Sequence, residues 1–294
     1  MKLSILTATY NRAKMLPELY ESIKKNINSD LDCEWIVIDD GSKDNTAELI
    51  KVFKEENIID IKYKFQENSG KMAAINEAVK LASGELMVDC DSDDCFSDDA
   101  FKIIKENANE ILKNDSLYGM IFFKADKEGN ISGDMFKTEY EPTTMFDLYF
   151  KENIKGEKII VFNSKIRKNF DHQLENDEKF ITEARMYHKM DERYKVICIN
   201  KIIEYGKYEE DGYTKNISQM FKKYPYGYYE YFKEILKKNM RGVLFRKKLY
   251  VIKHYILFGV LSNHNFDVKS IKDLNNKILY IILYVPGFIK SKMF

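Results

Sequence analysis

Between Lys2 and Cys90, four short apolar runs alternate with three helix-like stretches, and this alternation narrows the fold more than any other property of the chain. Lys2 to Ala8 reads as a buried strand. Met15 to Lys25 reads as a helix with Leu16, Leu19, Tyr20 and Ile23 on one face and Pro17 tolerated in the first turn. Glu34 to Ile38 is a second strand, after which Asp44 or Thr46 caps a helix running through Phe53. Ile59 to Phe65 is a third strand, and Lys71 to Leu81 a helix with Ala74, Ala78 and Leu81 on one side. Leu86 to Cys90 is the fourth strand. Strands and helices alternating at this spacing predict right-handed crossovers and a mostly parallel α/β sheet. Ligands bind such sheets at the carboxyl ends of the strands. Four polar clusters fall there: Thr9-Tyr10-Asn11-Arg12, Asp39-Asp40-Gly41-Ser42, Asn68-Ser69-Gly70-Lys71 and Asp91 to Asp94. They read as one pocket.

The last cluster has the most distinct chemistry. Asp89, Asp91, Asp93 and Asp94 crowd a strand end, where like charges repel unless a cation offsets them. Hard divalent ions take carboxylate oxygens, so a metal site is expected. An EF-hand loop would need Gly and Glu where Asp94 and Ala100 stand. A solvated turn before a helix accounts for Asp98 and Asp99 but not for Asp91 to Asp94. A phosphatase with an aspartate nucleophile would carry its D-x-D after the first strand. Two nucleotide motifs are also excluded. The P-loop glycine would fall at Phe65 and its Ser/Thr at Met72, and no G-x-G-x-x-G follows the first strand. Phosphates held without a glycine cradle need another counter-charge, which a carboxylate-bound metal supplies.

Thr-Ala-Thr-Tyr-Asn-Arg (7–12), Asp-Asp-Gly-Ser-Lys-Asp-Asn-Thr (39–46), Asn-Ser-Gly-Lys-x-x-Ala-x-Asn (68–76) and Gly-Glu-x-x-x-x-x-Asp-Ser-Asp-Asp (84–94) resemble glycosyltransferase family 2 in order and spacing. The resemblance implies a GT-A fold and an inverting, metal-dependent hexosyl- or hexosaminyltransferase. It places Ala8, Tyr10 and Asp40 at the nucleotide base, Asp91 near the ribose, and Asp93 on Mn2+ or Mg2+ bridging the diphosphate. Asp91 is a second candidate ligand. Thr7, Thr9, Arg12, Lys71, Asn76 and Ser92 join the implied donor site, and Asp94 supports it or the acceptor. Asp89 stands where the family usually has an apolar residue, and it has no assigned role.

After a helix to Ile111, strands are expected at Tyr118 to Phe123 and Lys158 to Phe162, with a short helix or turn at Ser164 to Phe170. The resemblance puts the acceptor near Asp171, His172 and Gln173, although an exposed polar loop explains those residues equally well. Inversion needs a general base within reach of the acceptor hydroxyl. The family carries it on a helix before the last strand, here Glu178 to Tyr187 before Lys195 to Asn200. Alignment on Tyr194-Lys195-Val196 puts Glu183 at the base position, ahead of Glu178 and Asp177, whose charges also suit a helix start. Thr182 stands where the family commonly has Glu, and the base itself is more often Asp. In the segment from Tyr208 to Asn216, Lys215 is placed to meet the leaving diphosphate or simply to be solvated.

The chain's formal charge is zero, but residues 213–294 carry a net +12 against −12 for the remainder. That tail is aromatic and basic, opening with Tyr224-Pro225-Tyr226-Gly227-Tyr228-Tyr229. Phe232, Ile235, Leu236 and Met240, and then Val243 to Leu261, have helical spacing. The expected organisation is a catalytic domain over 1–212, with a nucleotide-sugar half (1–115) and an acceptor and base half (116–212), plus a helical region over 213–294. The tail either covers the catalytic domain or lies on an anionic membrane surface. No nucleic-acid module accompanies it. Cys33, Cys90, Cys95 and Cys198 form no C-x-x-C pair, which fits a reducing compartment. The apolar run from Ile278 to Ile289 is shorter than the ~20 residues of a membrane span. With no signal-like start after Met1-Lys2, the expectation is a cytoplasmic enzyme, peripheral on the inner face of the membrane. Its donor is a UDP-sugar, and its acceptor a saccharide or lipid-linked saccharide in cell-surface polysaccharide synthesis. A non-catalytic sugar-nucleotide-binding module and a nucleotidyltransferase are the rival readings.

Overall fold

The computed structural model describes residues 1–27, 31–175, 177–206, 217–264 and Tyr280. Four parallel strands form its first half, β1 (Lys2–Thr9), β2 (Asp32–Asp39), β3 (Asp60–Phe65) and β4 (Leu86–Asp89), ordered β3-β2-β1-β4. The helices α1 (Leu16–Asn26), α2 (Thr46–Glu55) and α3 (Lys71–Leu81) connect them. The sheet continues from β4 through β7 (Lys158–Asn163), β6 (Leu117–Ala125), β8 (Lys195–Tyr205) and β5 (Cys95–Phe96). Here β7 runs antiparallel to both neighbours, β8 is parallel to β6, and β5 is antiparallel to β8. The second half is therefore mixed rather than parallel. The expected parallel crossovers hold among β1 to β4.

Alternate strand residues feed two cores, as a period of two requires. Leu3, Ile5, Trp35, Val37, Leu86 and Val88 face one side with α1, α2 and α4 (Ala100–Leu112). Leu6, Ile36, Ile38 and Met87 face the other, with Ala74, Ile75 and Ala78 of α3. Leu81, expected on the packed face of α3, is exposed at the helix end. Asp89 follows Met87 by two residues and so stands on the second side.

The segment expected to carry the base departs from the helix foreseen for it. Helix α6 spans Ala184–Met190, so it begins just after Glu183, and residues 178–183 are not helical. The cause lies in the tail. Both Glu178 carboxylate oxygens accept backbone N–H bonds, from Tyr226 and Gly227 at 2.6 Å each, at the start of α8 (Pro225–Lys237). A carboxylate on open N–H groups at a helix N-terminus satisfies donors that otherwise have no partner. Glu178→Ala is expected to cost about 1–2 kcal/mol, the usual range for a lost helix cap. A denaturant midpoint equal to wild type would refute that role.

After α5 (Ser164–Arg167) and α6, the tail supplies α7 (Ile217–Lys223), α8 and α9 (Phe245–Leu261). Tyr228 and Phe232 stack on Phe258, with ring centroids 5.0 and 5.7 Å apart. Phe146, Phe150 and Phe180 of the sheet-bearing part join this third core, as does Met240, which lies beyond α8. Arg185 in α6 is almost fully buried and pairs with Glu234 of α8 at 3.0 Å and Glu175 at 3.1 Å. The tail helices thus pack on the sheet-bearing part. Lys215 and the run from Ile278 to Ile289 lie outside the described residues, Tyr280 excepted. No described helix is long and apolar enough to cross a membrane.

Candidate active site

The strand-end loops are tied to one another before they meet any ligand. Asn11, in the left-handed region (φ 53°), accepts from Lys43 N through its side-chain oxygen and donates its own backbone N–H to Ser42 Oγ, both at 2.8 Å. Asp44 accepts from Thr46 and from Ala13 N, which locks α2 to the first loop. Asp40 accepts from Ser69 N and Gly70 N at 2.8 Å and from Gln66 Nε2 at 2.7 Å. Its carboxylate organises the third loop while lining the cavity wall. Gly70 has φ 96°, and a Cβ there would sit 1.9 Å from the Lys179 carbonyl oxygen. Only glycine permits both the conformation and that approach.

The next residue, Lys71, is thereby brought between two carboxylates. Its Nζ lies 2.7 Å from Asp91 Oδ1 and 3.0 Å from Glu183 Oε1. Tyr187, one turn into α6, donates to Glu183 Oε2 at 3.0 Å. Lys71 holds Glu183 down at about 2 against the upward push of burial. Burial lowers Lys71, but the two carboxylates outweigh it and leave Lys71 well above its ordinary value. Asp89 lines the cavity close by, its pKa pushed up to about 6 chiefly by burial, and its buried Oδ1 has no hydrogen-bond partner.

Asp91, Asp93 and Asp94 bring carboxylate oxygens within 4.8 Å of one another. Asp91 is held by Lys71, and Asp94 by Lys124 at 2.6 Å. Asp93 has no lysine or arginine in ion-pair contact among the described residues. Burial, then Asp91, raises its pKa. Three hard oxygen donors with one uncommitted carboxylate fit a divalent cation centred on Asp93. Asp94 is itself pushed up to about 7, mainly by burial.

These residues line a cavity of about 1200 Å³ that also takes in Ala8, Thr9, Tyr10, Arg12 and Ser92. Other candidates lie elsewhere. Thr7 is fully buried, accepting from Trp35 Nε1 at 3.0 Å and donating to the Cys90 carbonyl at 2.9 Å, so it stitches β1 to its neighbours. Asn76 holds the His172 backbone through paired 2.8 Å bonds behind α3, outside the main cavity. His172 is buried against Arg167, burial and that charge lowering its pKa to about 3. Gln173 accepts from Lys189, and Asp171 and Asp177 are exposed outside the cavity. Asp177 and Glu178 therefore lie off the cavity that Glu183 lines. The sequence reading missed Lys124, Glu157, Glu204 and the tail residues Tyr228, Tyr231, Lys247 and Tyr250. Lys124 had one signal, a charge ending an otherwise apolar strand.

A parallel nucleotide-binding half, a mixed extension and acidic residues at the fourth strand's end define the GT-A class of fold. The chain belongs to glycosyl transferase family 2, whose family model matches residues 4–173. An uncharacterized glycosyltransferase of Methanocaldococcus jannaschii is 26% identical over 289 residues, covering 93% of both chains. One from Mycoplasma genitalium is 38% identical over 113 residues, covering 37% of this chain and 38% of its own. Among solved structures, Staphylococcus aureus TarS superposes with a TM-score of 0.64 at 18% identity, covering 99% of this chain and 54% of that one. This chain therefore spans about half of TarS and just over a third of the Mycoplasma protein.

Proposed function

We propose that the protein is an inverting, metal-dependent hexosyl- or hexosaminyltransferase that moves a sugar from a UDP-sugar to a hydroxyl of a saccharide or lipid-linked saccharide. The observation that carries this reading is the Asp91–Lys71–Glu183 bridge beside Asp93, which joins a donor-side acid to a candidate base. The donor lies along the strand ends. Asp93, with Asp91 and Asp94 beside it, would hold Mn2+ or Mg2+, which offsets charge on the departing diphosphate. Glu183 takes the acceptor hydroxyl proton as that oxygen bonds the anomeric carbon from the face opposite the breaking phosphate bond. Lys71 restrains Glu183 until the incoming diphosphate competes for its ammonium, and this competition restores basicity to Glu183. Tyr187 keeps the carboxylate aimed.

The donor assignment is supported by relatives of the same fold. A TarS fragment has been solved with UDP-GlcNAc, and a Pyrobaculum calidifontis mannosyltransferase with GDP-Man and Mn2+ (TM-score 0.57 each). Exposed Leu244, Phe245 and Tyr250 beside Arg246 and Lys248 favour peripheral contact with an anionic membrane, in keeping with cell-surface polysaccharide synthesis on the cytoplasmic side.

A panel of nucleotide sugars tests the reading. With Mn2+, the true donor at a hundred times its Kd adds about 2.7 kcal/mol of stability and raises Tm, and EDTA removes the gain. Slow UDP release from that donor would eliminate a non-catalytic binding module. No stabilisation by any nucleotide sugar overturns the proposal, and pyrophosphate formation from a nucleoside triphosphate would replace it with nucleotidyl transfer.

A further inference from the structure

The cavity does not end at the carboxylates. It continues between the π-helical turn Asp147–Lys151 and the tail helices, where Tyr149, Phe150, Tyr228, Tyr231 and Tyr250 form its wall. Its volume of about 1200 Å³ exceeds the roughly 300–1,000 Å³ of ordinary small-molecule sites. The aromatic arm is therefore room for a second substrate.

Charge identifies what enters it. Lys247 lines this arm from the first turn of α9, between Arg246 and Lys248, and that turn holds no acidic residue. A helix N-terminus already carries about half a positive charge and normally gathers acids. Three consecutive cations there raise the potential further, at a cost that an external anion would offset. Lys247 is half-buried, its Nζ 5.8 Å from the Phe150 ring centre, and it has no carboxylate partner among the described residues. Burial first, then Arg246 and Lys155, lowers its pKa. Glu157, a carboxylate on the same cavity, is engaged by Lys124 at 3.2 Å. Lys247 alone of the three lines the cavity, with Arg246 and Lys155 adding positive potential near it. A partly desolvated cation in that field calls for an anion, and a multi-oxygen phosphate answers it better than a single carboxylate does. The aromatic rings beside it present electron-rich faces to the C–H surfaces of a sugar.

We propose that this arm is the acceptor subsite for a phosphorylated saccharide, with Lys247 and the first turn of α9 binding the phosphate and the tyrosines flanking the sugar. The assignment rests on the transfer reading above, because only a transferase needs a second substrate here.

The test uses the full chain in EDTA, so that no metal can recruit phosphate to Asp93. Calorimetry compares glucose 6-phosphate with glucose. The phosphate ester is expected to bind at least tenfold more tightly, Lys247→Glu to remove that preference, and Lys247→Arg to retain it. Equal affinities for the two sugars, or a preference that survives Lys247→Glu in a variant with wild-type Tm, overturns the subsite. A farnesyl-pyrophosphoryl sugar is the second arm. Tighter binding than glucose 6-phosphate, also lost in Lys247→Glu, assigns the phosphate to a lipid carrier, whereas the reverse order assigns it to the saccharide. Failure of every nucleotide sugar to bind with Mn2+, while the Lys247-dependent preference persists, overturns the transfer reading and leaves an anion site. The opposite pattern overturns the subsite and leaves transfer standing.

Discussion

Glu183→Gln is expected to lower sugar transfer by roughly 10²–10⁴-fold, the range a positioned general base supplies, while donor binding persists. The substitution keeps the shape of the side chain and an oxygen for the Tyr187 hydroxyl, but it removes the capacity to take a proton. Glu183 is well placed to show the effect, because its carboxylate lines the cavity and is fixed by Lys71 at 3.0 Å and Tyr187 at 3.0 Å. The charge of Lys71 is the largest influence holding Glu183 at about 2. The resting carboxylate is therefore ionised far below neutral pH, and an acidic limb near the ordinary glutamate value is not expected from it. Lys71→Met removes the main downward influence, so Glu183 should rise and an acidic limb should move toward neutral pH. Single-turnover transfer with saturating donor separates these effects from binding. Wild-type transfer by Glu183→Gln would move the base to another carboxylate lining the cavity.

Asp93→Asn is expected to remove Mn2+-dependent donor stabilisation altogether, a loss of about 2.7 kcal/mol at a hundred times Kd. Its neighbours cannot readily compensate, because Asp91 is held by Lys71 and Asp94 by Lys124. A metal moved onto either would have to displace a lysine from a pair that burial has strengthened. The readout is Tm against Mn2+ at fixed donor. Undiminished metal dependence in the asparagine variant would shift ligation to Asp91 or Asp94.

The nucleotide half was legible because its determinants are local. Strand periodicity, helix spacing and a glycine before Lys71 each act within a few positions, and the parallel run of β1 to β4 followed from the helices between them. The cap was less legible: α2 starts after Asn45 rather than at a cap on Asp44 or Thr46. Motif residues were harder to sort, since a conserved-looking pattern does not say which side of the strand a hydroxyl faces. Thr7 and Tyr10 sit three positions apart in one motif, yet Thr7 is sealed under Trp35 while Tyr10 stands half-exposed at the cavity. The helix expected from Glu178 failed for a long-range reason: its carboxylate is engaged by N–H groups almost fifty residues later. Short β5 escaped because two residues carry no periodicity, and the tail's share of the cavity depends on packing that no spacing rule encodes.

The Glu178 cap and the Arg185–Glu234 pair lie on either side of Glu183, and both are anchored in α8. The position of Glu183 is thus set in part by a region that carries none of the family motifs. Grafting a foreign tail onto residues 1–212 would exchange more than the aromatic cavity wall, because it would also move Glu183. The strand-end loops, by contrast, are tied mainly to one another, with Lys179 and Glu183 among their contacts to the second half. A change of tail therefore reaches Glu183 before it reaches the loop network around Asp40.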